Sequence, residues 1–113
     1  MEITEELKGN ISHVSLNGRF DADSCEDVEQ FVREKMDNGV HDFILDMEEV
    51  NFIASAGLRV VLVIARELRR DYQGDLRLAY LQPNVSRVFE ISGLNNVLRI
   101  FDDMETAVQS FSD

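Results

Sequence analysis

Apolar and polar residues alternate over residues 2–7 and again over 11–17, where Ile11 is followed by His13-Val14-Ser15-Leu16. A period of two marks half-buried strands, and Gly9-Asn10 between them supplies a tight turn, so the chain opens on a predicted β-hairpin. Gly18 to Asp23 reads as a polar connector. Val28, Phe31, Val32 and Met36 then recur at helical spacing. Asn38-Gly39 marks the stop of this helix, and Asp23 with Glu26, or Ser24 with Asp27, can cap its start. Asp42-Phe43-Ile44-Leu45-Asp46-Met47 is short, apolar and β-rich, the pattern of an interior strand. Glu48 to Ala54 leads from it into the longest helical pattern of the chain.

That helix is expected from Ser55 to Tyr72, with Leu58, Val61, Leu62, Ala65 and Leu68 as its core stripe and Gly74 closing it. Val60, Val63 and Ile64 widen the stripe, so the helix must be covered on more than one side. Leu76 to Leu81 reads as a fourth strand and Pro83 to Ile91 as a helix with proline in its first turn and Gly93 as its stop. Val97 to Phe101 is a fifth strand. A last helix, about 103–111, carries Met104, Ala107, Val108 and Phe111 on one face. The order β1β2α1β3α2β4α3β5α4 predicts an α/β fold whose sheet is mostly parallel, made mixed by the hairpin, with helices mainly on one face. In such sheets the connectors after the carboxyl ends of the strands gather at one edge. Here these are 18–23, 51–57 and 82–86.

Composition narrows the function. The chain has 113 residues, enough for one domain spanning 1–113, and no linker or repeat divides it. Its 22 acidic against 11 basic residues give a net charge of −11, which repels nucleic-acid phosphates; so acidic a surface favours a basic patch on another protein, but it is first of all an ordinary route to solubility. Cys25 is the single cysteine, so no internal disulfide is possible. Its setting among Asp21, Asp23, Glu26 and Asp27 does not favour a reactive thiolate. The acidic N-terminus lacks the apolar core of a secretory signal, and the longest apolar run, Val60 to Ala65, is too short for a bilayer. A cytoplasmic protein with no membrane contact is expected.

The residues offer little catalytic chemistry. His13, His41 and Cys25 lack ligand spacing, so no metal is expected. Ser55 stands at a strand-to-helix turn, but Ala54-Ser55-Ala56-Gly57 is not the G-x-S-x-G elbow and no histidine follows it. The six glycines are dispersed and form no phosphate cradle, so no nucleotide cofactor is expected. Read from pattern alone, Ser55 is an N-cap whose oxygen accepts from the amides of Gly57 or Leu58, worth about 1 kcal/mol. The same hydroxyl is also accessible to a kinase.

Asn51-Phe52-Ile53-Ala54-Ser55-Ala56-Gly57-Leu58 resembles the STAS domains of bacterial anti-sigma factor antagonists, whose form here is an aromatic or aliphatic pair followed by D-S-[ST]-G-L-G. Gly18-Arg19-Phe20-Asp21 is similar to the family's G-x-[LI]-D, Phe43 to Met47 to its central strand, and Val85 to Leu94 to the segment before its last strand. The resemblance implies a non-enzymatic partner-switching regulator. The family serine matched by Ser55 is phosphorylated by an anti-sigma factor that is a serine kinase, and a serine phosphatase reverses the step. It further implies a partner surface of Asp21, Asp23, Ile53, Ala54, Ala56, Gly57, Arg59 and Val60 around Ser55. The chain departs from the family at Ala54, in place of the aspartate, and at Arg59, in place of a glycine. Arg59 either pairs with phosphate or is an ordinary solvated helical arginine. A phosphate on Ser55 would place roughly −1.5 to −2 charge where the helix N-terminus favours it, while disrupting a contact fitted around a neutral serine. The alternative is a constitutive STAS subunit of a sensory or transport complex, never phosphorylated.

Overall fold

Among residues 1–112, which the computed structural model describes, five strands and four α-helices follow one another in the expected order. They are β1 (Glu2–Lys8), β2 (Ile11–Phe20), α1 (Cys25–Asp37), β3 (Asp42–Ile53), α2 (Ser55–Glu67), β4 (Asp75–Ala79), α3 (Pro83–Ile91), β5 (Ile100–Phe101) and α4 (Met104–Ser110). The strands lie side by side in chain order. β1 is antiparallel to β2, and every later pair is parallel.

Side-chain alternation divides the apolar residues between the two faces of the sheet. Val14, Leu16, Phe43, Leu45, Met47, Leu76 and Leu78 face α1, α2 and α3 and build the main core with Val32, Val61 and Phe89. Ile44 and Ala79 face the other way, against Met104 and Ala107 of α4. An interior strand covered on both faces has no polar side to show, which is why Phe43-Ile44-Leu45 runs apolar without a break. His13, on the α4 side, is half-buried with its Nε2 3.0 Å from Asp46 Oδ2.

Several element limits differ from the pattern, each for a local reason. β2 extends through Phe20, since Arg19 and Phe20 still pair with Phe52 and Ile53 across a register irregularity. β3 continues to Ile53 although its second half lacks alternation, because that half pairs with β2 alone. β5 shrinks to Ile100–Phe101, as Leu98 is tied back to Leu94 by a 2.8 Å backbone bond. At the start of α1 neither capping pair forms. The Ser24 hydroxyl instead donates to the Arg19 carbonyl at 2.6 Å and accepts from the Asp21 amide at 3.0 Å. Asp103 does cap α4, accepting from the Thr106 amide at 2.7 Å.

The core stripe of α2 is rotated from the expected one: Val60, Val61, Ile64, Ala65 and Leu68 are buried, whereas Leu62 and Val63 are half-buried. The sheet lies beneath the helix and α1 beside it, where Arg33 bonds both Glu29 at 3.0 Å and Glu67 at 2.9 Å. The α-helix stops at Glu67 and widens into a π-type turn over Leu68–Tyr72. Gln73 takes the left-handed conformation, φ 57°. Gly74 is required for a different reason, since a Cβ there would lie 1.9 Å from the His41 carbonyl oxygen.

Asp42 opens β3 opposite Asp75 of β4. Burial pushes its carboxyl above the ordinary range, against the opposing pull of a bond from the Asp75 backbone and of the Arg77 guanidinium. An acid whose folded pKa is raised binds its proton more tightly in the native state, so stability falls as pH rises from the unfolded pKa through the folded one. Asp42→Asn is therefore expected to raise the urea midpoint at neutral pH and to lose that advantage near pH 3, below both values. Urea melts of the two proteins at both pH values check this.

Candidate functional site

Because β2, β3 and β4 run parallel, their carboxyl ends reach the same edge of the sheet, and the connectors that follow them converge there. β3 projects beyond its neighbour on one side, since it pairs with β4 only from Asp42 to Asp46. The open carbonyls of the projecting arm are taken by side chains. Gln82 Nε2 donates to the Glu48 carbonyl and Asn84 Nδ2 to that of Asn51, each at 2.8 Å. An edge of unpaired backbone acceptors is thus partly closed by two loop amides. Neither residue has a sequence signature, because a polar side chain in a connector has no periodicity to betray it.

The other side of the arm is held by β2, whose last carbonyl, that of Phe20, accepts from the Ala54 amide at 3.0 Å. Gly57 then sits so close to this strand end that a Cβ would lie 2.8 Å from the Phe20 oxygen and 2.9 Å from its ring. The first turn of α2 therefore rests directly on β2.

Ser55 is the first residue of α2, exposed, and not its cap. Ala54, with extended φ −103° and ψ 172°, holds the cap position, and its carbonyl receives the amides of Gly57 at 2.9 Å and Leu58 at 3.1 Å. The expected N-cap bond from Ser55 is absent because the backbone is already helical there, which carries the hydroxyl away from those amides. No side chain caps α2, and its first turn holds no carboxylate. The positive end of the helix dipole thus meets no carboxylate within its own first turn, beside an exposed hydroxyl that has no hydrogen-bond partner among the described residues.

The residues expected around Ser55 separate into two layers. Asp23 and Arg59 are exposed, and Asp21, Ala54 and Ala56 are half-buried. Ile53 and Val60 are only 4% and 3% exposed, and Gly57 is buried, so these three lie beneath the surface that surrounds Ser55. Their apolar or small character, read as interface, belongs to the packing of α2 on the strands. Asp21 is also committed: its Oδ1 accepts from the Asp23 amide at 3.0 Å and its Oδ2 faces Arg19 Nε at 3.4 Å. Burial works against its charge, but the bonds from Asp23, Arg19 and Ser24 outweigh it and hold the carboxyl below the ordinary range.

Phe52 was not singled out by pattern, yet it is 37% exposed beside this edge, with the Arg19 guanidinium 4.1 Å above its ring. Its position one residue before buried Ile53 in a strand was the available signal. A recess of about 390 Å³ lined by Leu7, Gly9, Asn10, Gly39, Val40, His41 and Asp42 lies at the opposite edge, where β3 begins.

With this geometry in view, the model of the STAS domain family matches residues 2–107. The chain belongs to the STAS family. It is 34% identical over 111 residues to a Bordetella bronchiseptica protein that bears the name anti-sigma factor antagonist BtrV, covering 98% of this chain and 95% of that one. Its fold matches the crystal structure of a Thermotoga maritima protein described as an anti-sigma factor antagonist. The TM-score is 0.92 at 17% identity, over 98% of this chain and 95% of the other. The unphosphorylated form of SpoIIAA is matched with a TM-score of 0.82 at 23% identity, over 98% and 96% of the two chains.

In this STAS domain, Gly57 and Ser55 have separable roles. Gly57→Ala is expected to lower stability by about 1–3 kcal/mol, since the added methyl must displace backbone at Phe20. Ser55→Ala, which removes an exposed hydroxyl with no bond, is expected to stay within about 0.5 kcal/mol of the parent. Urea denaturation followed by circular dichroism measures both.

Proposed function

We propose that this chain is an anti-sigma factor antagonist working in the cytoplasm as a binding module and not as a catalyst. In this reading it captures an anti-sigma factor that is a serine kinase while Ser55 is unmodified. It is released once that kinase phosphorylates Ser55, and a serine phosphatase restores the capturing form. The observation that carries the proposal is the exposed Ser55 hydroxyl, without a hydrogen bond among the described residues, at a helix entrance whose first turn holds no carboxylate. An anion there is favoured by the amides and dipole of α2, so modification leaves the fold in place. A partner packed on Ala54 and Ala56, both half-buried, would meanwhile face a strongly hydrated dianion. The similarity in sequence to the Bordetella relative, along nearly the whole of both chains, supports the same reading.

Incubation with the host's anti-sigma factor kinase and ATP, followed by mass spectrometry, is expected to place one phosphate on Ser55. Calorimetry with that kinase is expected to give Ser55→Ala the affinity of the parent and Ser55→Asp an affinity weaker by about tenfold or more. A protein that binds the kinase but never acquires phosphate would instead be a constitutive interaction subunit. Equal affinities for the two variants would place Ser55 outside the interface.

A further inference from the structure

Arg59 is exposed on α2 four residues after Ser55, the spacing that sets two side chains above one another on a helix face. In so acidic a protein most basic side chains have found a carboxylate. Arg33 bonds Glu29 and Glu67, Lys35 faces Glu5, Arg69 and Arg77 share Asp75, Arg70 bonds Asp71, and Arg19 faces Asp21. Arg59 makes no ion pair among the described residues, a state it shares with Arg66, Arg87 and Arg99. The cause is in the sequence: the positions three and four residues away along α2 are Ala56, Ser55, Leu62 and Val63. None is acidic. The carboxylate of Asp21, on the neighbouring connector, is already engaged by Arg19 and by the Asp23 amide.

We propose that Arg59 is the internal receptor of a phosphate on Ser55, closing an i,i+4 pair along the outer face of α2 that exists only in the modified protein. The proposal rests on Ser55 being the modified residue, and it adds the group that holds the phosphate. Four features support it. The anion is N-terminal to the cation, the more favourable order on a helix. The guanidinium offers a planar fork that suits phosphate oxygens bidentately. No carboxylate competes for it on α2. And the first turn of α2, which has neither a side-chain cap nor an acidic residue, supplies backbone donors on the phosphate's other side. The pair has a consequence for partners: modification withdraws the guanidinium of Arg59 from the docking face at the moment the dianion appears there.

The test uses full-length protein carrying phosphoserine installed at position 55 during synthesis, so it is independent of any kinase. ³¹P NMR gives the second pKa of the phosphate in the parent, Arg59→Gln, Arg59→Lys and Arg66→Gln proteins, each checked for folding by its amide spectrum. Pairing with Arg59 predicts that Arg59→Gln raises this pKa by about 0.3–0.7 of a pH unit, that Arg59→Lys restores part of the shift, and that Arg66→Gln, farther along α2, changes it by less than about 0.1. A value for Arg59→Gln within about 0.1 unit of the parent overturns the proposal, as does an equal shift from Arg59→Gln and Arg66→Gln, which is a general field effect. Absence of kinase-dependent phosphate on Ser55, by contrast, removes the cellular use of the pair and not the pair itself.

Discussion

One oxygen, the Phe20 carbonyl, fixes the relation between the sheet and the helix that carries Ser55. It accepts the Ala54 amide and is also the nearest atom to the missing Cβ of Gly57. Both contacts must be satisfied together, so the first turn of α2 has a single height above the end of β2. Everything that follows along the helix inherits that placement: Val60, Val61 and Ile64 reach the core, and Ser55 and Arg59 are left outside. The arm of β3 leading into the turn is held from its other side by Gln82 and Asn84. A surface hydroxyl is thereby presented from a fixed base, although it makes no hydrogen bond among the described residues.

The order of elements was legible because long-range topology follows from local periodicity here. An alternating hairpin, an apolar interior strand and helices with distinct stripes leave few sheet arrangements open once crossovers are right-handed. What pattern missed depends on pairing. The second half of β3 shows no alternation, since Glu48, Glu49 and Asn51 lie where only β2 pairs with the strand. Ser55 is a serine just before an apolar helix, which satisfies the rule for a cap. The structure moves the boundary by one residue and gives the cap to Ala54, so the hydroxyl loses its local task.

The motif around Ser55 was read as one surface and is two. Periodicity identifies apolar residues but not whether they are covered by their own fold or by a partner. Ile53, Gly57 and Val60 turned out to be covered by Phe20 and the core, while Ala54 and Ala56 remain at the rim. A small residue in a helix entrance serves either to let another backbone approach or to leave room for a visiting one. Only the position of the neighbouring strand distinguishes the two, and a linear sequence does not contain it.

Charge bears on how the proposed modification of Ser55 would be accommodated. The basic residues of this acidic chain are largely spent on internal ties, among them the Arg69 and Arg77 grip on Asp75 and the Arg33 staple between α1 and α2. The ties at Asp75 and between α1 and α2 lie away from the α2 entrance, whereas the Arg19–Asp21 pair lies beside it. At the entrance itself the first turn of α2 holds no acidic residue, and Arg59 makes no ion pair among the described residues. Addition of negative charge to a surface already at −11 would ordinarily be unfavourable. Here the first turn of α2, which holds no acidic residue, and Arg59 oppose that charge locally, while salt screens the more distant carboxylates over about 8 Å. On the proposed reading, the fold would carry two charge states at Ser55, an exposed residue outside the core.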